Sequence, residues 1–512
     1  MGKKSKKKPA QKSKAIPSRF LSNRWFDALV VLCLLAVSIA WWWPHRYLPF
    51  WWDSAGFVIN AAYDLFRNNF NPPIALHSDF AHPPLLMMLV AAFWKLFGAT
   101  PFSAHLTTLP FLLLLLASTY FLAKRLLKPT TAALAALLVA SVPIVLHETT
   151  QIYLDLPAAA LTTAALALLL HKKTVFAVIA LSLAALTKET ALFVLPLFGI
   201  IAAKQVQLTT LAKKIKTALI IATPLASYLA YVLLFNRYTG FWFSTRAGRL
   251  DNKFSSTLST LATSLQNVGS SFFIDNGMWI LSLVALISVI VLWHKKALDL
   301  AHEKLLLGFM LTILSVLLSF ALFQEYTLRY SLMVLPLWIV SALRLLEQAS
   351  QKAQPKHAHT LLVGVSVLSL IVLVLNWYPR TEVTNSYSFS PPTNLTVLDR
   401  IFVFRQAAKF VELTSQGKQI LGSFPENQQL TQPYLGYVDQ SLPFELCNSS
   451  VSQESSESRL LLFHPYAPGQ MECKKILDAS QAKLLNRFER NGSWVEVFEL
   501  TGEKAAPANQ LN

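Results

Sequence analysis

The sequence predicts a polytopic α-helical membrane protein that closes with a small soluble α/β domain. Three observations carry this. Of 512 residues, 54% are hydrophobic and only 14% are charged, whereas soluble domains carry about 25% charged residues. The apolar residues gather into segments near the length of a bilayer crossing. Near residue 380 the composition changes to that of a soluble chain.

The formal net charge is +18. The positive residues sit in short clusters between apolar segments, which is how membrane topology is written. No continuous basic face or nucleic-acid motif is present, so nucleic acid is not an expected partner. Lys3, Lys4, Lys6, Lys7, Lys8, Lys12 and Lys14 form a basic tail, 1–24, expected in the cytosol near anionic lipid. The first apolar segment reads as a retained helix rather than a signal peptide.

Residues 26–43 form the first span and end in Trp41, Trp42 and Trp43, residues that favour the headgroup level. Asp53 follows, at or just above that level and flanked by aromatic residues. A carboxylate in such a half-apolar place can serve as a base; it is also readable as a solvated loop aspartate. Residues 53–69 have the spacing of an amphipathic helix lying on the membrane. Residues 85–97 are apolar but number roughly 13, short of the about 20 a span requires.

Charge fixes the count. If 85–97 does not cross, spans at 102–123, 131–147, 153–170, 174–187, 190–203, 217–235, 277–293, 305–323, 329–347 and 360–377 leave nearly every basic cluster on the side of the N-terminal tail. The expectation is eleven spans plus one interfacial or re-entrant helix, with a long loop at 236–276. The same parity gathers Asp53, Asp79, His82, Glu148, Asp155, Lys188, Glu189, the 236–276 loop, Arg329 and everything after 378 on the outer face. Ionisable residues beside spans are functional candidates.

The transmembrane part is therefore 25–378 and the extracytoplasmic α/β domain 379–512. In that domain, 398–416 and 470–479 read as helices, and 419–424, 459–463, 483–489 and 493–499 as strands. It carries Asn-X-Ser/Thr triplets at Asn394, Asn448 and Asn491, and Cys447 with Cys473, which can form a disulfide if the domain lies outside the cytosol.

Five stretches stand in a telling order: Trp52-Asp53-Ser54, His82-Pro83-Pro84-Leu85, Gln151-Ile152-Tyr153-Leu154-Asp155, Leu186-Thr187-Lys188-Glu189, and Glu325-Tyr326 with Arg329-Tyr330 and Leu335-Pro336. Together they resemble the polytopic GT-C glycosyltransferases, in the group of protein O-mannosyltransferases and lipid A aminoarabinose transferases. The resemblance covers residues 20–380. It implies a sugar donor on a polyprenyl phosphate, inversion at the anomeric carbon, and an active site on the outer face. Carried over residue by residue, Asp53 matches the catalytic aspartate and Asp155 the second acidic residue. Lys188 matches a lysine near the donor phosphate and Arg329 the basic residue that opens a late span, and His82 stands at the phosphate or as a metal ligand. On chemical grounds Arg246 and Arg249 are second choices for the phosphate, equally readable as a solvated charge pair. The family often has Asp-Glu where this chain has Asp53-Ser54, and some members have lysine where this chain has His82.

The chemistry suits these residue types. An inverting transfer needs one base to take the acceptor proton as the oxygen attacks. The phosphate leaves as a stable anion, so no general acid is required, unlike in an inverting glycosidase. Cations must meet the charge that builds there. Lys188 beside Glu189 is also readable as a neutralised turn, and Asp155 as a helix N-cap before Pro157. The acceptor is open: protein, lipid A, another glycolipid or an envelope glycan. No cofactor is called for, and a divalent metal is neither demanded nor excluded. The alternative function is a lipid-linked sugar transporter or flippase, which predicts internal repeats and charges at mid-bilayer; neither is visible.

Overall fold

The computed structural model describes residues 24–74, 82–207, 209–242, 257–274, 277–297, 303–322, 328–378, 394–447, 458–467 and 469–503. The basic tail, Asp79, Arg246, Arg249, Glu325, Tyr326 and Asn448 lie outside the described residues.

Helix α1 (Arg24–Trp42) leads to the outer loop, where a π-helical turn at Ser54–Val58 runs into α2 (Ile59–Arg67). Then come α3 (Leu85–Phe97), α4 (Pro101–His105), α5 (Thr108–Ala123), α6 (Pro129–Ser141), α7 (Pro143–Thr149), α8 (Asp155–Leu170) and α9 (Thr174–Ala185). A 3₁₀ turn at Glu189–Val194 opens α10 (Leu195–Val206), followed by α11 (Leu211–Thr239), α12 (Leu258–Phe273), α13 (Trp279–His294) and α14 (Lys304–Leu322). A second 3₁₀ turn, Leu328–Met333, opens α15 (Leu335–Ala353), and α16 (Ala358–Leu375) closes the bundle.

All eleven segments counted in the sequence are helical. Six helical stretches are long and apolar enough to cross a membrane, or seven if the bent pair α6–α7 is one span. Helices α8, α9 and α13 are apolar but shorter. This is a multi-pass membrane protein. Helix α3 has 13 residues and stands among the shorter apolar helices, and its Leu85 N–H donates to Leu186 O at 3.0 Å, which ties it to the turn carrying Lys188.

Two expectations need correction. The 131–147 segment is not one straight helix: it bends by 63° between α6 and α7. Val142 precedes Pro143 and is extended (φ −67°, ψ 126°), because the proline ring crowds an α conformation at the residue before it. The 236–276 stretch is not all loop. Helix α12 occupies its second half, capped by Thr257, whose side chain accepts from Thr260 N–H. Its apolar residues recur at Leu258, Leu261, Leu265, Val268 and Phe272, a single helical face diluted by Ser and Thr.

After residue 394, α17 (Val397–Thr414) packs on a five-stranded sheet of β1 (Ile420–Gly422), β2 (Phe444–Leu446), β3 (Arg459–Phe463), β4 (Ser480–Arg490) and β5 (Ser493–Glu503). The order is β2-β1-β3-β5-β4. Strand β1 runs parallel to β2 and β3, and β5 antiparallel to β3 and β4. Helices α18 (Glu426–Thr431) and α19 (Gln470–Ala479) complete the region. The four expected strands and both expected helices are present; β2 and α18 are short additions. Cys447 and Cys473 are joined by a disulfide, with Cα atoms 5.1 Å apart.

The apolar core falls into two large clusters. One fills the helical bundle. The other joins the outer loop from Phe50 to Leu65, α3, and the C-terminal region from Val397 to Val497. Helix α2 is therefore packed on two sides, by α3 and by the C-terminal region, rather than resting on lipid alone. Burial of this kind, at roughly 25 cal/mol per Å² of apolar area, fixes the loop that carries Asp53.

Candidate functional site

Asp53 is aimed by its neighbours. Trp52 has φ +54°, a left-handed conformation that turns the chain between Trp51 and the π-helical turn. Trp51 N–H donates to Gln151 Oε1 at 2.6 Å, and Gln151 Nε2 reaches Pro49 O at 3.3 Å. Ser54 Oγ accepts from Ile152 N–H at 3.2 Å. From the C-terminal region, Phe50 N–H donates to Leu435 O at 3.1 Å and Gln429 Nε2 to Phe50 O at 3.2 Å. Gly56 is required here, since a Cβ would run into the Phe424 ring.

Asp155 is the second acid. It is the first residue of α8, with Leu154 as the cap. The N-cap reading is thus replaced: its carboxylate accepts from Lys188 Nζ at 2.5 Å. Lys188 sits at the end of α9 with its ammonium 4.1 Å from the Tyr330 ring centroid. Arg329, in the 3₁₀ turn before α15, donates through Nη2 to Asp53 Oδ2 in a short charge-assisted hydrogen bond. Its Nε is 3.8 Å from Asp155 Oδ2, and its guanidinium lies 4.8 Å from the Tyr153 ring centroid. The side chains are 19% exposed at Asp53, 12% at Arg329, and 6% at both Asp155 and Lys188.

Four of the seven sequence candidates therefore form one chain of contacts: Asp53, Arg329, Asp155, Lys188. His82 stands beside it. Its Nδ1 is 2.8 Å from Glu189 Oε2, and its carbonyl accepts from Tyr231 O–H at 2.9 Å. The neutralised-turn reading of Lys188 and Glu189 gives way, because each acquires a different partner. Arg246 lies outside the described residues.

Sequence reading assigned no role to Gln151, Tyr153 or Tyr330, although all three stand inside quoted motifs. A consecutive His147 and Glu148 on α7 also face inward. Glu148 is fully buried, and neither of its oxygens has a hydrogen-bond partner. His147 Nδ1 stands 3.5 Å from Glu148 Oε1 without hydrogen-bond geometry. The bend at Pro143, which turns this pair inward, is the sequence signal that was available.

Among the described residues, no group of three or more His, Cys, Asp or Glu side chains is placed to hold a metal ion. The arrangement offers a half-buried carboxylate with two cations in reach of one small volume. That combination can take a proton and hold an anion at once.

The sequence profile of the dolichyl-phosphate-mannose-protein mannosyltransferase family matches residues 81–233. That span contains His82, Gln151, Asp155 and Lys188. No curated protein matches the chain in sequence. Among solved structures, ArnT from Cupriavidus metallidurans bound to undecaprenyl phosphate shares the fold with a TM-score of 0.58 at 12% identity, covering 92% of this chain and 97% of that one. The apo structure of the same protein gives 0.55 at 13% identity over the same shares. The chain is built on the GT-C glycosyltransferase fold of the protein O-mannosyltransferase and ArnT type, as its motifs implied.

Proposed function

We propose that this protein is an inverting glycosyltransferase that moves a sugar from a polyprenyl-phosphate donor to an acceptor on the extracytoplasmic face. The observation that carries the reading is the cluster itself. Asp53 and Asp155 meet Arg329 and Lys188 in one half-buried place, at the end of the bundle beside the 13-residue apolar helix α3. Lipid-linked donor chemistry needs such a meeting of base and cations at a lipid boundary. The undecaprenyl phosphate named for the structural neighbour fits the same chemistry.

In this mechanism an acceptor hydroxyl, or the oxygen of an acceptor phosphate, attacks the anomeric carbon from the face opposite the donor phosphate. Asp53 takes the proton of a hydroxyl acceptor. Lys188 and Arg329 hold the donor phosphate and stabilise the charge it gains as the bond breaks. Asp155 fixes Lys188. His82 and Glu189 form the neighbouring wall. The amphipathic helix α2 and the apolar helix α3 give the prenyl chain a way in from the side. The C-terminal region, packed directly on the Asp53 loop, is the natural platform for a protein, lipid A or envelope-glycan acceptor.

Two arguments support an outer-face site. The positive-inside rule, applied to the basic clusters of the sequence, assigns them to the side away from the site. The Cys447–Cys473 disulfide belongs to an oxidising compartment. Together they support a plasma or inner membrane location with a cytosolic N-terminus. The test is reconstitution of the full chain into liposomes with a panel of radiolabelled polyprenyl-phosphate sugars and candidate acceptors. Transfer with inverted anomeric configuration is expected. Movement of the lipid-linked sugar between leaflets without any transfer would replace this reading with a flippase.

A further inference from the structure

The resting cluster is closed on itself. Arg329, the cation best placed to meet a phosphate near Asp53, is already bonded to Asp53. Lys188 is bonded to Asp155. Two carboxylates and two cations cancel. A carboxylate locked on a guanidinium is a poor base, because taking a proton would break its strongest contact. Yet Arg329 is not fully used: its buried Nε has no hydrogen-bond partner and is 3.8 Å from Asp155. The aromatic faces of Tyr153 and Tyr330, at 4.8 and 5.4 Å, would hold the guanidinium in place whichever anion it serves.

We propose that Arg329 masks Asp53 in the resting protein, and that a donor phosphate takes Asp53's place on Arg329 and so frees the base. This rests on the reading of Asp53 as the base. The consequence is an ordered reaction, donor first, in which base strength is switched on by the substrate.

The charge balance agrees. A phosphodiester donor brings one negative charge to a neutral cluster. During transfer the acceptor O–H gives its proton to Asp53, the new O–C bond forms, and the C–O bond to phosphorus breaks with its electron pair going to the phosphate. Asp53 loses one negative charge as the phosphate gains one. The cluster's total is unchanged, and Arg329 already faces the group whose charge grows.

The exchange predicts that Asp53 competes with the donor phosphate for Arg329. A polyprenyl methyl phosphate is an unreactive donor mimic, and its binding to the full-length protein is read by calorimetric titration. Asp53→Asn is expected to bind the diester about tenfold more tightly than wild type, since nothing must be displaced. The gain is expected to vanish when Arg329 is also removed: Asp53→Asn with Arg329→Gln should bind no more tightly than Arg329→Gln alone. A merely structural role for Asp53 would weaken binding instead. Equal or weaker diester binding by a folded Asp53→Asn overturns the masking and leaves the donor site standing. A tenfold gain that persists without Arg329 also overturns it. Absence of diester binding altogether overturns both the masking and the donor reading.

Discussion

The network around Glu426 and the network around Asp53 both bury a carboxylate among aromatic rings, and they are finished differently. Glu426 Oε1 meets His464 Nε2 at 2.6 Å, and Oε2 accepts from Ser423 N–H at 2.7 Å and Ser423 O–H at 2.6 Å. His464 Nδ1 accepts from Tyr466 N–H at 3.1 Å, so Nε2 carries the proton given to Glu426. Gln470 Nε2 closes the ring on Ser423 Oγ at 3.2 Å. Glu426, His464 and Gln470 are fully buried. Around Asp53, by contrast, Asp53 itself stays partly open, Arg329 Nε has no hydrogen-bond partner, and buried Glu148 has two unpaired oxygens. A network with every atom satisfied holds a fold together. One with spare capacity, at the end of a bundle and against the rings of Tyr153 and Tyr330, is built to exchange partners.

The sharpest way to break the comparison is to remove one carboxylate from each network. Asp53→Asn should lower transfer by about 10³-fold, within the range expected for losing a general base, while thermal melting in detergent stays near wild type. Arg329→Gln should cost about 10²-fold in transfer, of the order seen when one donor to a developing anion is lost, with weaker donor binding. Glu426→Ala should do the reverse. It leaves His464 and Ser423 without their acceptor and should destabilise by about 3–5 kcal/mol, read as a drop in melting temperature.

Acid sharpens the same contrast. Burial pushes the Glu426 proton affinity up, but His464 and the two Ser423 donors outweigh it and hold the carboxyl below its ordinary 4.5. The unfolded state therefore binds the proton first. The stabilisation is complete above about pH 4.5 and is lost as pH falls through the lower folded value. Melting temperature should be flat at neutral pH and fall on acidification, and Glu426→Ala should flatten that fall. The smallest effect belongs to the surface. Arg487 pairs with Glu489 and Glu496, each at 2.9 Å, in the open, and Arg487→Ala should change stability by under about 1 kcal/mol.

Much of this was legible in the sequence. Apolar segment length and the side of the basic clusters pointed to the helices, and charge parity, not length, set 85–97 apart as the segment expected not to cross. Order and spacing of the motifs singled out Asp53, Asp155, Lys188 and Arg329 as residues of one site. What was not legible was pairing. No pattern in one dimension says that Lys188 chooses Asp155 over the adjacent Glu189, or that Arg329 rests on Asp53, because those choices follow from how α8 begins, α9 ends and α15 begins at one end of the bundle. Helix α12 was hidden because serine and threonine diluted its apolar face. The role of Gln151 was hidden because a glutamine clamping backbone groups looks, in sequence, like any polar residue before a helix.

The most direct test of the account is a single-turnover transfer assay with one radiolabelled polyprenyl-phosphate sugar, comparing wild type and Asp53→Asn at matched donor occupancy. The account predicts full donor occupancy in both and product in wild type alone. Equal product formation in the two would remove Asp53 from the chemistry and shift the search for the base to Asp155.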